Sequence, residues 1–406
     1  MARLWHFGAL CALFLCHSGS PAAATTNGSS QQAAEALEEH SAEAECLPGP
    51  LRLDNYLPCQ SAADHDAHGV PLAPWTHRPY CGENTNYCVF TNANFRSSSR
   101  GVSIIDIPSS NASDVTSTVA SISDLLLTDD PTTEQEPPPY ELQDIPGKGK
   151  GLVATRKISR GQTFLVDYAA LVADTKFPSR VKRDQGRQLL REAVHRLPAA
   201  DLILDLARSS SDPDNVPAAE DVLKTNSFSV DIGGKSYMAL FPHIARINHA
   251  CKPSALTRFN STTLSNTVTA FHDILPGEEI TISYSPFGLT SQARQQTLLQ
   301  KWGFRCTCPL CSASPSVLAA SDARRQKIAV LGEEVIKMLD RGEAPKRAAE
   351  MYEEVVEAVK EEGLVPHLGA HYEVLGRLYL AAGDKKKGVD LVRKGVEESR
   401  GFEGVF

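Results

Sequence analysis

This sequence has no excess of positive charge, because its 49 Asp and Glu residues outnumber its 41 Lys and Arg residues. The formal net charge of −8 at pH 7 gives no electrostatic basis for general nucleic-acid binding, which relies on a basic surface. The run of three lysines at residues 385–387 is interpreted as a solvated turn. We therefore expect no direct nucleic-acid partner.

Long apolar runs are missing after residue 24, since no later stretch approaches the roughly 18 apolar residues of a membrane-spanning helix. Residues 7–16 are apolar, but a run of ten residues is too short to span a bilayer. Arg3 and His6 precede this run and small residues follow it up to Ala24, as in a cleaved secretory signal. We expect residues 1–24 to be a signal peptide and the mature chain to have no membrane span. The protein would then be secretory or secreted, and nuclear or cytoplasmic if the signal is not used.

The ten cysteines fall into three groups. Cys11 and Cys16 would leave with the signal. Four cysteines in an exported segment suggest two disulfides, for which about three pairings are possible. Their spacing lacks the tight pair at each end that a second zinc site would need. These disulfide candidates are Cys46, Cys59, Cys81 and Cys88.

The third group contains a Cys-x-Cys-x-x-Cys cluster formed by Cys306, Cys308 and Cys311. Three thiolates cannot complete a structural zinc site, which is tetrahedral and takes four N or S ligands. Cys251, which lies 55 residues before Cys306, is the best candidate for the fourth ligand. We therefore predict a structural Zn²⁺ that fastens Cys251 to the cluster.

Composition divides the rest of the chain into segments. Residues 25–108 form a Cys-bearing N-terminal region, and residues 109–139 read as a low-complexity linker that ends in three prolines. Residues 140–290 predict a β-rich core, with a helical insert at about 179–225 where the apolar period changes. Residues 291–312 carry the cysteine cluster, and residues 320–406 are predicted to be helical.

Apolar periodicity predicts individual elements within these segments. The last two helices, joined by Gly383 and Asp384, resemble a tetratricopeptide-type hairpin and should pack on the core. The predicted strands are residues 87–91, 102–107, 152–154, 163–172, 228–232, 267–274 and 279–284, and the predicted helices are 292–301, 345–361, 367–382 and a last one ending near 399.

Four motifs near these elements carry residues suited to chemistry, each with a plainer alternative. Residues 149–151 read Gly-Lys-Gly, which lets a backbone approach a ligand closely, although a plain turn explains them as well. The spacing fits neither a P-loop nor a dinucleotide fingerprint. Asn248 and His249 place an amide and an imidazole beside Cys251; the alternative is a satisfied turn with a buried cysteine.

The other two motifs are aromatic. Tyr284 ends a predicted strand in a Gly-Glu-Glu-x-x-x-x-Tyr pattern, where core packing is the alternative role. Trp302 and Phe304 run directly into the cysteine cluster, where they could simply cover the metal.

In this order, over about residues 140–312, the motifs resemble the SET-domain protein methyltransferases. The likeness is nearest to the SET-and-MYND branch, with Asn226 and Phe228 in the matching Asn-x-Phe strand, although the MYND finger is absent. The segment from Pro74 to Asn92 is similar to the leader of a group of filamentous-fungal SET proteins. The resemblance implies an α+β class, with a β-rich SET fold (β-clip-like, with a pseudoknot), a helical insert, a post-SET zinc site and a helical C-terminal region.

The resemblance also implies roles for residues. The methyl donor S-adenosylmethionine would be the cofactor, a protein lysine the substrate, and Tyr284 the catalytic tyrosine. Trp302 and Tyr284 would wall the substrate lysine channel. The residues implied for the cofactor pocket are Gly149, Lys150, Gly151, Asn226, Asn248, His249 and Phe304.

One departure from the family pattern concerns Ser254, which follows Pro253 where the family has Asn. Together with the export signal it supports an alternative function, a catalytically silent SET scaffold that binds protein or peptide in the secretory or extracellular space. The leading hypothesis is an S-adenosylmethionine-dependent protein-lysine N-methyltransferase that acts as a monomer. Binding of the cofactor to folded, zinc-loaded protein separates the two.

Overall fold

The computed structural model describes residues 74–96, 100–108, 119, 137–208 and 218–400, without the side chains of residues 365 and 366. The predicted signal peptide, Cys46, Cys59 and most of the predicted linker lie outside the described residues. Within the described part of the chain the protein is a mixed α+β structure. Its sheets come first and its longest helices last.

The largest sheet has six strands, and its first three come from the N-terminal region. The strand Val102–Asp106 pairs in parallel with the strand Leu171–Asp174, with Ser103 opposite Leu171. Residues on both sides of the linker therefore share one sheet. Cys81 and Cys88 form a disulfide at the edge of this sheet, which accounts for two of the four disulfide candidates. The strands in spatial order are β1 (Tyr80–Cys81), β2 (Cys88–Asn92), β3 (Val102–Asp106), β7 (Leu171–Asp174), β9 (Lys235–Leu240) and β8 (Phe228–Ile232).

Three smaller sheets complete the β region. The single strand predicted at residues 163–172 is two strands that belong to different sheets. The Ala169 N–H donates to the Leu264 oxygen and the Ala170 N–H donates to the Leu240 oxygen, so the chain passes from one sheet to the other at these two residues. The smaller sheets are β4 (Tyr140–Ile145) with β5 (Gly149–Ala154), β11 (Ala255–Asn260) with β12 (Ser265–Ala270) and β6 (Thr163–Tyr168), and β10 (Asn248–His249) with β13 (Thr281–Ile282).

The predicted helical insert is present between β7 and β8. Its main helix buries Leu189, Leu190, Ala193 and Val194, which recur at the three- and four-residue spacing of one helix face. These side chains join the core on one side of the six-stranded sheet. The helices are α1 (Phe177–Arg180), α2 (Arg183–His195), α3 (Ala200–Leu204) and α4 (Ala218–Asn226).

The C-terminal region is helical as predicted, although its first helix begins at Pro315 rather than after residue 320. Gly383, with φ +90°, follows the end of the third helix of this region. The last two helices approach closely at Gly376 and Gly388, because a Cβ on Gly376 would lie only 2.8 Å from the Gly388 oxygen. Among the described residues no helix is long and apolar enough to cross a membrane. The helices are α5 (Ser291–Trp302), α6 (Pro315–Asp340), α7 (Pro345–Glu362), α8 (Val365–Ala381) and α9 (Lys385–Arg400).

Candidate functional site

The four predicted zinc ligands come together in space. The Sγ atoms of Cys251, Cys306, Cys308 and Cys311 all lie within 4.8 Å of one another. Cys251 Sγ is 3.5 Å from Cys311 Sγ and 3.9 Å from Cys306 Sγ. A tetrahedron with Zn–S bonds of about 2.3 Å has S–S edges of about 3.8 Å, so the donor set fits a zinc ion.

Helix α5 positions the cysteine cluster. The helix ends at Trp302, and the next residue, Gly303, has a φ of +77° that turns the chain toward Cys306. The side-chain amide of Gln295 holds Cys306 from both sides: Nε2 donates to the Cys306 oxygen at 2.7 Å, and Oε1 accepts from the Cys306 N–H at 2.9 Å. Leu298, one turn further along α5, is fully buried against the cysteines. The cluster therefore has a rigid, apolar wall on the helix side.

The segment before Cys251 is fixed by strand pairing. Asn248 and His249 in β10 pair in parallel with Thr281 and Ile282 in β13, which brings the two segments side by side as the predicted pseudoknot requires. Ala250 N–H then donates to the Ile282 oxygen at 3.0 Å. This pairing places the Asn-His motif next to the end of the Gly-Glu-Glu motif.

Ser254, the departure from the family pattern, is also part of this pairing. Its Oγ accepts a hydrogen bond from the Thr281 N–H at 2.9 Å, and its own N–H donates to the Thr281 oxygen at 3.1 Å. The Ser254 carbonyl accepts the Phe271 N–H at 2.8 Å. Ser254 is thus hydrogen-bonded to Thr281 and to Phe271 at the place where the family pattern has Asn.

Tyr284 is not at the end of a strand as predicted, because β13 stops at Ile282. Instead of continuing the ladder, the Tyr284 N–H donates to His249 Nδ1 at 3.0 Å, and its hydroxyl donates to the Ile247 oxygen at 2.7 Å. Burial lowers the pKa of His249 to about 4, so the neutral ring can accept the bond. Burial first, and the charge of Glu279 second, raise the pKa of Tyr284 above its usual value, which keeps its hydroxyl protonated.

Aromatic rings surround Tyr284. Its ring centroid lies 5.3 Å from that of Trp302 and 6.4 Å from that of Phe304. Phe304 also contacts His249, with ring centroids 6.2 Å apart. The Trp302 indole N–H donates to the Thr225 oxygen at 2.9 Å, which fixes the ring against the helical insert. The result is a tyrosine hydroxyl in an apolar, aromatic setting.

The glycine motif lies on the other side of Asn248. Asn248 Nδ2 donates to the Lys150 oxygen at 3.3 Å and to Glu279 Oε1 at 3.0 Å. A Cβ on Gly151 would lie 2.6 Å from Asn248 Nδ2, and Gly149 has a φ of +74°, so both glycines are required by the backbone path. Among the described residues no group donates to Asn248 Oδ1, which leaves a carbonyl free to accept from a ligand.

The structure therefore brings most of the predicted site residues into one region. Lys150 takes part through its backbone, while its ammonium pairs at the surface with Asp205 at 3.2 Å. Asn226 donates to the Leu206 oxygen at 3.2 Å and follows Thr225, which holds Trp302, so it enters from the insert side. The roles assigned to all of these residues stay predictions.

Two features of the site were missed from the sequence. Arg246 pairs with Asp205 at 2.6 Å, which ties the start of the Asn-His motif to the helical insert. Glu279 joins Asn248 to Lys148, whose Nζ lies 2.5 Å from Glu279 Oε2. Glu279 was visible in the Gly-Glu-Glu motif but had no assigned role, because its two partners lie far from it in the chain.

Comparison with known proteins agrees with this arrangement. Residues 149–285 match the SET domain family. The histone-lysine N-methyltransferase set5 of Schizosaccharomyces pombe is 28% identical over 207 residues, which are 49% of this chain and 59% of that protein. The N-lysine methyltransferase SMYD2-A of Danio rerio is 30% identical over 30% of this chain and 28% of its own length. The histone-lysine N-methyltransferase SMYD3 of Homo sapiens is 36% identical over 18% of this chain and 17% of its own.

The chain thus spans less than two thirds of the length of each of these relatives. The matched residues 149–285 hold the glycine motif, the Asn-His motif and Tyr284. They do not include Trp302, Phe304 or the three clustered cysteines, which the fold adds from α5 and the following loop. Residues 149–285 of this chain thus match the SET domain family, and the chain is similar in part to set5 and the SMYD lysine methyltransferases.

Proposed function

We propose that this chain is an S-adenosylmethionine-dependent protein-lysine N-methyltransferase with Tyr284 as its catalytic residue. The observation that carries the proposal is the protonated Tyr284 hydroxyl, held 2.7 Å from the Ile247 oxygen between the Asn-His motif and the aromatic rings. The names of the similar proteins, which are histone-lysine and N-lysine methyltransferases, support the reaction class.

The residues present fit the methyl donor. The backbone of Gly149 to Gly151, the free Oδ1 of Asn248 and the ring of Phe304 would hold it, with Asn226 contributing from the insert side. When bound, this cofactor supplies an activated methyl group on a positively charged sulfur. Methyl transfer is an in-line displacement that depends on positioning. The oxygens of Tyr284 and Ile247 are fixed dipoles that can favour the positive charge as it spreads.

The substrate lysine must reach the site without its proton. At neutral pH this costs about 4 kcal/mol for an ordinary lysine. The rings of Tyr284, Trp302 and Phe304 provide an apolar wall, and removal of water from the ammonium lowers its pKa. The aromatic setting thus reduces the cost of deprotonation before transfer.

The cysteine cluster would hold a structural zinc ion. Four thiolates fill a tetrahedral zinc and leave no position for water or substrate, so the ion would take no direct part in catalysis. Its function would be to hold the end of α5 and the following loop, which carry Trp302 and Phe304, against Cys251. We retain as proposals a protein lysine as substrate, a monomer as the active form and the secretory route, which the Cys81–Cys88 disulfide supports.

Methyl transfer to protein lysines by the purified chain, measured with a labelled methyl donor, tests the proposal. Tyr284→Phe should lower the rate roughly 100-fold, because it removes a fixed dipole at the reaction centre, and should leave the fold intact. Tyr352→Phe is a matched control, since Tyr352 is a buried tyrosine of α7 whose hydroxyl lies 2.9 Å from His371 Nδ1. A Tyr284→Phe variant as active as the control would contradict the assignment.

The alternative function is the catalytically silent scaffold, for which Ser254 and the export signal are the two arguments. It would be selected by folded, zinc-loaded protein that does not bind the methyl donor. Calorimetric titration of the wild-type chain with S-adenosylmethionine therefore separates the two functions.

A further inference from the structure

Glu279 is a partly buried carboxylate at the centre of the proposed cofactor pocket, and its side chain is 20% exposed. Its Oε1 accepts the Asn248 Nδ2–H at 3.0 Å, and its Oε2 accepts the Lys148 ammonium at 2.5 Å. Its backbone forms an isolated bridge with Val153. The carboxylate is therefore fixed in position by contacts at both ends of the residue.

The same carboxylate lies between the glycine motif and the Asn-His motif. A Cβ on Gly151 would lie 3.4 Å from Glu279 Oε1, so the carboxylate lies close to the glycine backbone. Its partner Asn248 directly follows Ile247, whose carbonyl oxygen accepts the Tyr284 hydroxyl at 2.7 Å. A negative charge thus lies beside the two motifs that would hold the proposed methyl donor.

We propose that Glu279, oriented by Asn248, is the residue that makes the pocket prefer the positively charged methyl donor to its neutral product. This inference rests on the proposed function. S-adenosylmethionine carries a positive sulfur, and that charge is lost when the methyl group leaves. A fixed carboxylate attracts the donor but has no net charge to attract in S-adenosylhomocysteine. The product is then released more readily than the donor.

Coulomb's law gives the size of the effect. At an effective dielectric constant of about 20, two unit charges several ångströms apart attract strongly enough to change a dissociation constant more than tenfold. The nearby Lys148 and solvent reduce this figure, so we expect a preference of roughly tenfold. The preference should appear as the ratio of two dissociation constants, that of S-adenosylhomocysteine over that of S-adenosylmethionine.

Calorimetric titration of the purified full chain with each ligand tests the proposal. Glu279→Gln should lower the ratio roughly tenfold, because it removes the charge while a side-chain oxygen can still accept from Asn248. Lys148→Met should raise the ratio, because it removes the neighbouring cation while Asn248 still holds the carboxylate. Glu279→Asp should keep a ratio near that of the wild type even where both affinities weaken, because the charge remains.

Glu278→Gln is the matched control. Glu278 is the exposed neighbour whose carboxylate accepts the Leu275 N–H at 2.8 Å, and its variant should keep the wild-type ratio. Equal weakening of both ligands in Glu279→Gln would overturn the proposal and leave Glu279 with a structural role only. If Glu279→Gln does not fold, an unchanged or lowered ratio in Lys148→Met overturns the proposal instead. A wild-type chain that binds neither ligand would contradict the proposed function itself. A wild-type chain that binds both, with the same ratio in Glu279→Gln, would contradict only the proposal for Glu279.

Discussion

Arg325 of α6 donates a hydrogen bond from Nη2 to the carbonyl oxygen of Cys251 at 3.0 Å. The same guanidinium donates to the Phe287 oxygen at 2.7 Å and to Glu362 Oε1 at 2.9 Å, and it is 1% exposed. A single buried side chain thus connects the C-terminal helices to a predicted zinc ligand and to the loop after Tyr284.

The first prediction follows from this contact. Arg325→Met should lower the free energy of unfolding by about 3–5 kcal/mol, because it leaves the fully buried Glu362 without one of its cationic partners. It should also weaken zinc retention, since the Cys251 carbonyl loses its donor. Denaturant unfolding and metal analysis measure the two effects. Lys327→Met, which removes an exposed ion pair with Glu354, should change stability by less than about 1 kcal/mol; equal effects from both variants would contradict the assignment.

The second prediction concerns the zinc site. Cys308→Ser should reduce bound zinc from one ion per chain to almost none, because a structural site depends on all four thiolates. The loop carrying Trp302 and Phe304 should then become protease-sensitive, since a structural zinc contributes on the order of 10 kcal/mol to folding. Replacement of both Cys81 and Cys88 by Ser is the control and should leave zinc content unchanged. Full zinc occupancy in Cys308→Ser would show that the cluster does not bind the ion.

The third prediction concerns the packing of α8 on α9. Gly376→Ala should destabilise the protein by about 1–3 kcal/mol, because the new methyl group would meet the Gly388 carbonyl oxygen at 2.8 Å. The higher helix propensity of Ala works in the opposite direction. Gly186→Ala in α2 separates the two effects, since its Cβ would meet only Phe177 Cζ at 3.7 Å. That control should be neutral or stabilising by about 0.5–1 kcal/mol; thermal unfolding of both variants checks the difference.

The fourth prediction concerns pH. Burial lowers the pKa of His371 from 6.5 to about 4, with the charge of His367 as a second cause. Between these two values the unfolded chain binds more protons than the folded chain, so stability falls as pH falls through this window. At pH 5 the loss from this group should be about 2 kcal/mol relative to pH 7.5. Unfolding measured at both pH values should show a smaller loss in His371→Gln, whereas a variant of the exposed His195 should keep the wild-type slope.

The candidate site was largely predictable because its chemistry depends on local spacing. The Cys-x-Cys-x-x-Cys cluster requires a fourth N or S ligand, and Cys251 beside Asn248 and His249 was the best candidate once the disulfide group was set apart. The contacts of Glu279 with Lys148 and Asn248 could not be read in the same way. They depend on pairing between segments more than 30 residues apart, as between Asn248 and Glu279, and no local pattern records such a pairing.

The fold was predictable where apolar periods were clear and not elsewhere. Strand β4 was missed because it is mostly exposed, and its sequence Tyr-Glu-Leu-Gln-Asp-Ile lacks a buried face. The strand predicted at residues 163–172 was wrongly taken as one element, because Ala169 and Ala170 give no signal at the point where the chain changes sheet. The strand predicted up to Tyr284 was too long, because a hydrogen bond to His249 replaced the ladder.

The pairing of β3 with β7 has a consequence for any attempt to isolate the catalytic region. If the chain were cut within residues 109–136, β7 would lose its neighbour and present the unpaired N–H and C=O groups of an open edge. Buried apolar side chains of β7 such as Leu171 and Val172, both fully buried, would lose their cover at the same time. An open, apolar edge strand recruits other chains, so a fragment beginning at residue 137 should aggregate, because the N-terminal strands cover the edge of the sheet that β7 would otherwise form.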